Sequence, residues 1–313
     1  MKRGLVARLG GVALRAMTAG VRWLTPGQAG RLGAALGRTM FVCTPHRRRI
    51  AFRNLSFALQ EKGREERTRI LRDCYDNIGR SLVEFMRLPS VSKKDAIHEL
   101  ISLEGEEHLR AALAKKRGVL LLTAHYGNWE LVGAKLAASG YPLNVLARHQ
   151  RDTGATRLVN SLRETAGMRV IPARKVDAAQ ILRCLKRGEI VGFLADQNAG
   201  RKGIFVDFFG RAASTHPGIA LFALRTKAPV VPVFGLRNSD NRHVALLLPE
   251  VKLIETGNMR EDVAANTAAF TRLIEQQIRL RPELWFWLHD RWRTRPLHEG
   301  DSNSRPAYSG NNT

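Results

Sequence analysis

The feature that most restricts the fold is a change in hydrophobic pattern near Gly118. Residues 26–100 carry apolar positions at helical spacing, interrupted by prolines that mark helix boundaries. From Val119 onward, short apolar runs of strand length alternate with helical stretches. We therefore predict an α/β fold whose mainly parallel central sheet is covered by helices and preceded by an all-helical N-terminal segment.

The predicted strands are short and spaced along the second part of the chain. They span residues 119–124, 143–147, 169–171, 190–195, 230–234 and 243–254. The first is apolar throughout, as is typical of a strand buried on both faces of a sheet. The pattern divides the chain into an amphipathic membrane-associating helix, a helical segment, an α/β domain and a disordered tail rich in Gly, Ser and Asn, at residues 1–25, 26–100, 101–296 and 297–313.

The charge balance indicates an anionic partner. The chain has 51 Lys and Arg against 28 Asp and Glu, a net charge of +23. Nucleic acid is disfavoured because aromatic residues make up only 7% and no zinc-finger spacing or single basic recognition helix is present. Three cysteines far apart in the chain do not indicate a disulfide framework, which favours a reducing, cytosol-facing environment.

The N-terminal stretch, residues 4–24, has the pattern of a basic amphipathic helix. Arg8, Arg15 and Arg22 recur at heptad spacing on one face, with apolar residues roughly opposite. These arginines interrupt any run of ~18 uncharged apolar residues, so the sequence does not predict a spanning helix. Two interpretations stay open: a helix lying in the membrane interface, or a first helix docked on the protein core.

The candidate chemistry follows the first predicted strand, in the segment His125-Tyr126-Gly127-Asn128-Trp129-Glu130. Ligand sites of α/β sheets lie at such strand ends. The spacing puts His125 in a loop, with Gly127 supplying turn freedom and Glu130 in the next helix. We expect Glu130 to orient His125 as a base, so that the substrate's own hydroxyl attacks. The alternative is that a His and a Glu stand at this spacing by chance.

A family resemblance adds to this interpretation. The segment G-V-L-L-L-T-A-H-Y-G-N-W-E, residues 118–130, resembles the signature of the lipid A biosynthesis lauroyl/myristoyl acyltransferases, part of the lysophospholipid acyltransferase superfamily with its His-x-x-x-x-Asp/Glu motif. Further matches follow in order at residues 53–55, 188–197, 203–210, 228–233 and 285–292. The resemblance covers roughly residues 1–295 and implies a glycerolipid acyltransferase-like fold in which residues 101–296 are the catalytic domain.

The resemblance also implies site residues. It makes His125 the general base and Glu130 its relay partner, and it places Arg163 and Asp196 at positions of a further functional Arg and Asp, with Arg148 as a second candidate arginine. Arg163, held by Asp196, would stabilise an oxyanion or bind a phosphate. The alternative is a purely structural Arg–Asp pair.

Substrates and location follow from the same resemblance. It implies transfer of a fatty acyl chain from acyl carrier protein to a hydroxyl of a phosphorylated lipid A precursor, late in lipopolysaccharide biosynthesis, at the cytoplasmic face of the inner membrane with its anionic lipid. No metal or redox cofactor and no nucleic acid is expected; the acyl thioester on the carrier is a co-substrate. Acylation of another glycolipid, such as a phosphatidylinositol mannoside, is one alternative, and a non-enzymatic basic protein that binds membrane or nucleic acid is another.

Overall fold

The computed structural model describes residues 18–92, 96–147, 154–172, 178–238, 240 and 242–296. Its helices are α1 (Pro26–Cys43), α2 (Pro45–Ala58), α3 (Arg64–Met86), α4 (Leu88–Val91), α5 (Ala96–Leu100), α6 (Glu106–Ala114), α7 (Trp129–Ala138), α8 (Gly154–Thr165), α9 (Ala178–Lys186), α10 (Gly218–Thr226) and α11 (Met259–Leu280). Its strands are β1 (Ile101–Glu104), β2 (Val119–Thr123), β3 (Leu143–Ala147), β4 (Arg169–Pro172), β5 (Ile190–Leu194), β6 (Ile204–Phe208), β7 (Arg211–Thr215), β8 (Val230–Arg237) and β9 (His243–Leu247). In the described part of the chain, α1 to α5 precede the first strand, which confirms the predicted helical N-terminal segment.

The helices of this segment pack closely. α1 begins at a capping box, in which Thr25 and Gln28 exchange side-chain and backbone hydrogen bonds. It then runs against α3 at Gly37, where a Cβ atom would lie 2.3 Å from the backbone oxygen of Tyr75. Only a residue without a side chain permits this approach, so the glycine fixes how the two helices meet.

Seven strands form the central sheet, in the order β1-β9-β8-β2-β5-β3-β4. Every pair is parallel except β8 with β9, which confirms the mainly parallel sheet. In β2, Leu120 and Leu122 enter one core with residues of α2, α3, α10 and α11. Val119 and Leu121 enter a second core with residues of α6 and α7. The central strand is therefore buried on both faces, as its continuous apolar run predicted.

The structure differs from the predicted strands in three places. The strand expected at residues 243–254 ends at Leu247, and further along both backbone groups of Ile254 bond to the side chain of Asn266. The short edge strand β1 was not predicted, and neither was the antiparallel hairpin β6–β7. The hairpin turns through Phe209 and Gly210, both at positive φ, and its strands are too short for a strong alternating signal.

The end of the N-terminal stretch lies within the described residues, whereas residues 4–17 and the predicted tail at 297–313 lie outside them. Val21 is 4% exposed and packs with Ala29, Val83 and Met86, while Trp23 is 79% exposed. In the described part of the chain, no helix is both long and apolar enough to cross a membrane. The choice between a docked and an interfacial helix, like the domain boundaries, stays a prediction.

Candidate active site

His125 lies in the loop that joins β2 to α7, at the carboxyl end of the central strand. The loop turns at Gly127, whose φ is +59°, and a Cβ atom there would lie 1.8 Å from the backbone oxygen of Gly235. The N–H of Gly127 donates to the carbonyl of Leu284 at 2.8 Å. Glycine is thus required here by both conformation and space, as the sequence predicted for the turn.

The segment after α11 holds the same loop by backbone contacts. Phe286 N–H donates to the carbonyl of His125 at 3.0 Å, and Tyr126 pairs with Trp285 in an antiparallel bridge. These contacts fix the backbone on both sides of the histidine, so its position depends on a strand end and on a segment near residue 285.

Asp196 is the carboxylate that binds His125. Its Oδ1 lies 2.8 Å from His125 Nδ1, and its Oδ2 accepts from the backbone N–H of His125 at 3.0 Å and from Trp285 Nε1 at 2.8 Å. Burial raises the pKa of Asp196, but the neighbouring His125 and these hydrogen bonds outweigh burial and lower it to about 2. An ionised Asp196 accepts a hydrogen bond from the N–H at Nδ1 of His125. This leaves Nε2 without a proton, as the basic nitrogen of the ring.

The ring of His125 is partly exposed. The His125 side chain is 20% exposed, whereas that of Asp196 is 2% exposed. Gln197 Nε2 lies 3.2 Å from His125 Nε2 and is placed to donate to it. The ring of Trp129 packs edge-on against the imidazole at 5.0 Å between centroids. A hydroxyl that replaced the amide of Gln197 would be within hydrogen-bond distance of Nε2.

Glu130 is bound by a different partner. Arg163 donates to both of its carboxylate oxygens, from Nε at 2.9 Å and from Nη2 at 2.5 Å. Trp129 Nε1 adds a third hydrogen bond to the Glu130 carboxylate, at 3.1 Å. Burial lowers the pKa of Arg163, but the carboxylate of Glu130 outweighs it and the net shift is upward. This is a bidentate, largely buried ion pair next to the histidine.

The two expected pairings are therefore exchanged. We expected Glu130 to orient His125 and Asp196 to hold Arg163; in the structure Asp196 binds His125 and Glu130 binds Arg163. Sheet register explains the exchange, because Thr123 of β2 pairs with Leu194 of β5. His125 and Asp196 each follow their strand by two residues and so emerge side by side at one edge. Glu130, in the first turn of α7, reaches α8 instead.

The catalytic roles of His125, Glu130, Arg163 and Asp196 stay predictions. The structure brings all four into one neighbourhood, joined through Trp129, which contacts both His125 and Glu130. Arg148 lies outside the described residues.

A buried charged network supports the start of α7. Asn128 Oδ1 accepts from the N–H of Leu131 at 3.2 Å and so caps the helix, while its Nδ2 donates to Glu84 at 2.8 Å. Arg237 donates to both oxygens of Glu84. Burial raises the pKa of Glu84, but hydrogen bonding by His243 and the charge of Arg237 lower it to about 2. In the sequence Glu84 looks like an ordinary polar helix residue, so only the structure identifies this support.

His289 was not assigned a site role by sequence reasoning, although the tryptophan-rich run that contains it was matched. The N–H of Asn198 donates to His289 Nε2 at 3.0 Å, just beyond Asp196 in the chain. Burial lowers the pKa of His289 to about 4, so its ring is neutral and can accept this bond. His289 therefore shapes the loop that carries Asp196, and Trp285 and Gln197 contact the reactive pair directly.

An apolar cavity of about 50 Å³ lies between α7 and the sheet, beside the Glu130–Arg163 pair. Its other lining residues are mainly apolar and include Trp129, Val132, Leu136, Leu143, Met168 and Leu194. That volume is well below the roughly 300–1,000 Å³ of small-molecule pockets, so the cavity is a small gap in the packing beside the charged pair. Among the described residues, no group of three His, Cys, Asp or Glu is arranged to hold a metal ion.

Comparison of the sequence with known proteins identifies a family. A family profile described as bacterial lipid A biosynthesis acyltransferase matches residues 9–294. The chain is 27% identical over 269 residues to a lipid A biosynthesis lauroyltransferase of Escherichia coli, covering 85% of each chain. It is 27% identical over 273 residues to the lipid A biosynthesis palmitoleoyltransferase of the same organism, covering 86% of each. A phosphatidylinositol mannoside acyltransferase of Mycobacterium tuberculosis is 26% identical over 221 residues, 69% of this chain and 68% of the relative. With a profile that spans nearly its whole length, the chain belongs to the bacterial lipid A biosynthesis acyltransferase family.

Proposed function

We propose that the protein transfers a fatty acyl chain from acyl carrier protein to a hydroxyl of a lipid A precursor, late in lipopolysaccharide biosynthesis. The observation that carries the proposal is the His125–Asp196 pair, in which a buried carboxylate binds Nδ1 and leaves the ring accessible at the end of β2. Family membership supplies the reaction class, and the pair supplies a base suited to it.

In the proposed step, His125 Nε2 removes the proton of the acceptor hydroxyl as that oxygen attacks the thioester carbonyl. The tetrahedral intermediate then collapses, the carbon–sulfur bond breaks, and the carrier's thiolate takes the proton from the imidazolium. Asp196 stabilises that imidazolium and keeps Nδ1 protonated. The hydroxyl oxygen ends in an ester, so the enzyme itself is not acylated.

Arg163 is the proposed cation beside the reacting atoms. Glu130 fixes its guanidinium by two hydrogen bonds, and Trp129 connects this pair to His125. A preorganised guanidinium in a largely buried site stabilises a developing oxyanion or binds a phosphate of a substrate. On this proposal Glu130 acts through Arg163.

Charge supports the proposed partners and location. Acyl carrier protein is acidic and lipid A precursors carry phosphates, so a chain with net charge +23 attracts both. The same charge favours anionic lipid at the cytoplasmic face of the inner membrane, where we place the reaction. The transfer rate should fall as ionic strength rises, because salt screens these attractions.

A phosphatidylinositol mannoside is the second candidate acceptor. The chain is similar to phosphatidylinositol mannoside acyltransferases as well as to lipid A acyltransferases, so a mannoside glycolipid is the alternative acceptor. The proposed chemistry at His125 is the same for both, and they differ only in the molecule that supplies the hydroxyl.

The test uses purified protein in detergent with acyl carrier proteins that carry chains of ten to sixteen carbons. Wild type, His125→Ala and His108→Ala are each given a tetra-acylated lipid A precursor or a phosphatidylinositol mannoside, and products are identified by mass. His108 is a partly exposed histidine of α6 and serves as the matched control. We expect wild type and His108→Ala to acylate the lipid A precursor and His125→Ala to lose the activity.

The other outcomes identify the rivals. Product on the mannoside alone would replace the proposed acceptor, and full activity of His125→Ala would remove the proposed base. A wild type that binds anionic lipid or nucleic acid but transfers nothing to any acceptor would favour a non-enzymatic binding protein.

A further inference from the structure

In the segment Arg53-Asn54-Leu55, which matches the family, two residues are buried and Arg53 is not. Asn54 is buried and donates to the carbonyls of Trp287 and His289, at 2.9 and 2.8 Å. Leu55 is fully buried in the core. The Arg53 side chain, in contrast, is 48% exposed. Two of the three residues therefore hold α2 against the body of the protein, and the third presents a charge at its surface.

Arginines of α2 and β7 lie beside the ring of Phe57, and a third arginine follows Trp292, which contacts the same ring. The guanidinium of Arg211, the first residue of β7, lies 3.8 Å from the centre of that ring. Arg53 precedes Phe57 by one helical turn of α2 and so shares its face. Trp292 contacts the ring edge-on at 6.5 Å, and Arg295 follows three residues later. We call Arg53, Arg211 and Arg295 the arginine cluster.

The arginine cluster has an excess of positive charge. Burial lowers the pKa of Arg211, and the positive charges of Arg295 and Arg53 act in the same direction. Asp290 pairs with Arg53 at 2.5 Å, and it is the one carboxylate that the described residues place in an ion pair with the cluster. Like charges repel at short range, and a bound anion would relieve that repulsion.

The arginine cluster is also linked to the loop of the catalytic pair. Asn198, two residues beyond Asp196, donates from Nδ2 to Thr294 Oγ1 at 3.0 Å. Thr294 directly precedes Arg295. The backbone N–H of Asn198 donates to Nε2 of His289. The segment that carries Arg295 is therefore hydrogen-bonded to the loop that follows Asp196.

We propose that Arg53, Arg211 and Arg295 bind a phosphate group of the glycolipid acceptor. The inference rests on the proposed function and deepens it by assigning the acceptor's phosphate a site. Guanidinium groups present paired donors that match phosphate oxygens, and three of them around a single ring suit a compact dianion. The spread carboxylates of an acidic carrier protein would require a broader surface, which makes the carrier the less suitable ligand.

The kinetic test compares Arg295→Gln and Arg211→Gln with wild type and with Arg272→Gln, a change at an exposed arginine of α11. Acceptors are a tetra-acylated lipid A precursor with its phosphates and the same lipid after phosphatase treatment. We expect the acceptor KM of both cluster variants to rise about tenfold, as for loss of one hydrogen bond to a charged group. Their kcat, their KM for the acyl carrier and their KM for the dephosphorylated lipid should stay near wild type. Arg295 is exposed, so its variant is informative even if loss of the Arg211–Phe57 contact impairs folding.

A binding measurement separates this inference from the proposed function. The affinity of wild type, Arg295→Gln and Arg272→Gln for each lipid in mixed micelles is measured by fluorescence titration without acyl donor. The site is supported if Arg295→Gln binds the phosphorylated lipid more weakly than wild type and Arg272→Gln do, with no change for the dephosphorylated lipid. This holds even if wild type transfers no acyl chain. Equal affinity, or equal loss for both lipids, would overturn it, and a rise in carrier KM instead would assign the cluster to the acyl carrier. Transfer by wild type with no change in the variants would leave the proposed function standing and remove the phosphate site.

Discussion

Asp196 Oδ1 lies 2.8 Å from His125 Nδ1, although the two residues are 71 positions apart in the chain. Their meeting is a property of the parallel sheet, since each follows the end of one of two paired strands, β2 and β5. The nearer carboxylate in sequence, Glu130, belongs to the ion pair with Arg163. On the proposed function, Asp196 orients the base and Glu130 fixes a cation, so the two carboxylates have separate tasks.

Asp196→Asn should remove most of the activity without unfolding the protein. The amide keeps the size of the carboxylate but does not stabilise the imidazolium, and it allows the wrong tautomer of His125. A loss of about 10³- to 10⁴-fold in kcat is expected by analogy with an Asp-to-Asn change in a catalytic triad. Steady-state kcat and the melting temperature are the measurements, with Asp240→Asn, an exposed aspartate, as control. Activity close to wild type in Asp196→Asn would show that Asp196 does not support the base.

Glu130→Gln and Arg163→Met should each destabilise the protein, and their effects should not add. Each change leaves a largely buried charge without its partner, which costs about 3–5 kcal/mol in the free energy of unfolding. The double variant should lose less than the sum, because both charges are then absent. Urea unfolding gives the free energies, and kcat of the same proteins shows whether Glu130 acts through Arg163. Multiplicative losses of kcat would instead give Glu130 a separate catalytic task.

Glu84→Gln should weaken the protein most at neutral pH. The pKa of Glu84 is lowered to about 2, so its ion pair with Arg237 contributes stability above about pH 4.5, and that contribution is lost as pH falls toward 2. At pH 7 the variant should lose about 3–5 kcal/mol in the free energy of unfolding. Glu65→Gln, at an exposed position of the same helix, should lose less than about 1 kcal/mol. Urea titrations at pH 7 and at pH 3 should show the gap between wild type and Glu84→Gln closing at the lower pH. A gap that stays constant would mean that the ionised carboxylate is not the stabilising group.

His289 should make the protein less stable in mild acid. The native pKa is about 4 and the ordinary histidine value is 6.5, so between these values the unfolded chain takes up a proton that the folded chain does not. Stability contributed by the neutral ring is therefore complete above about pH 6.5 and falls as pH decreases toward 4. Relative to His289→Gln, wild type should lose about 2 kcal/mol between pH 7 and pH 4.5, less than the full shift implies because the ring is partly solvated. Unfolding free energies of the two proteins that fall in parallel would contradict this assignment.

The sequence supports the architecture well because its signals are local. A continuous apolar run marks β2, and Gly118 and Gly127 mark the turns before that strand and before the helix that follows His125. The hairpin β6–β7 has no such local signal, because it consists of two five-residue strands whose pairing depends on a turn at Phe209.

The sequence selected four side chains that the structure brings into one neighbourhood, but it did not predict their pairing. His125, Glu130, Arg163 and Asp196 were selected together, yet sequence spacing favours the nearest carboxylate, and only strand register brings Asp196 to the histidine. Trp285 reaches Asp196 across 89 positions, so no local pattern could assign it a contact with the site. The arginine cluster likewise joins α2, β7 and the segment after Trp292, which are adjacent only in the folded chain.

The backbone bridge between Tyr126 and Trp285 has a consequence for the order in which the site is built during synthesis. A nascent chain carries His125, Asp196 and the strands that bring them together long before the ribosome has added Trp285. Until that tryptophan has emerged, the loop of the histidine lacks the hydrogen bonds from Phe286 and to Leu284, and Asp196 lacks its indole donor. A chain that has not yet reached Trp285 therefore lacks these contacts, and on the proposed function its base is not yet held in place.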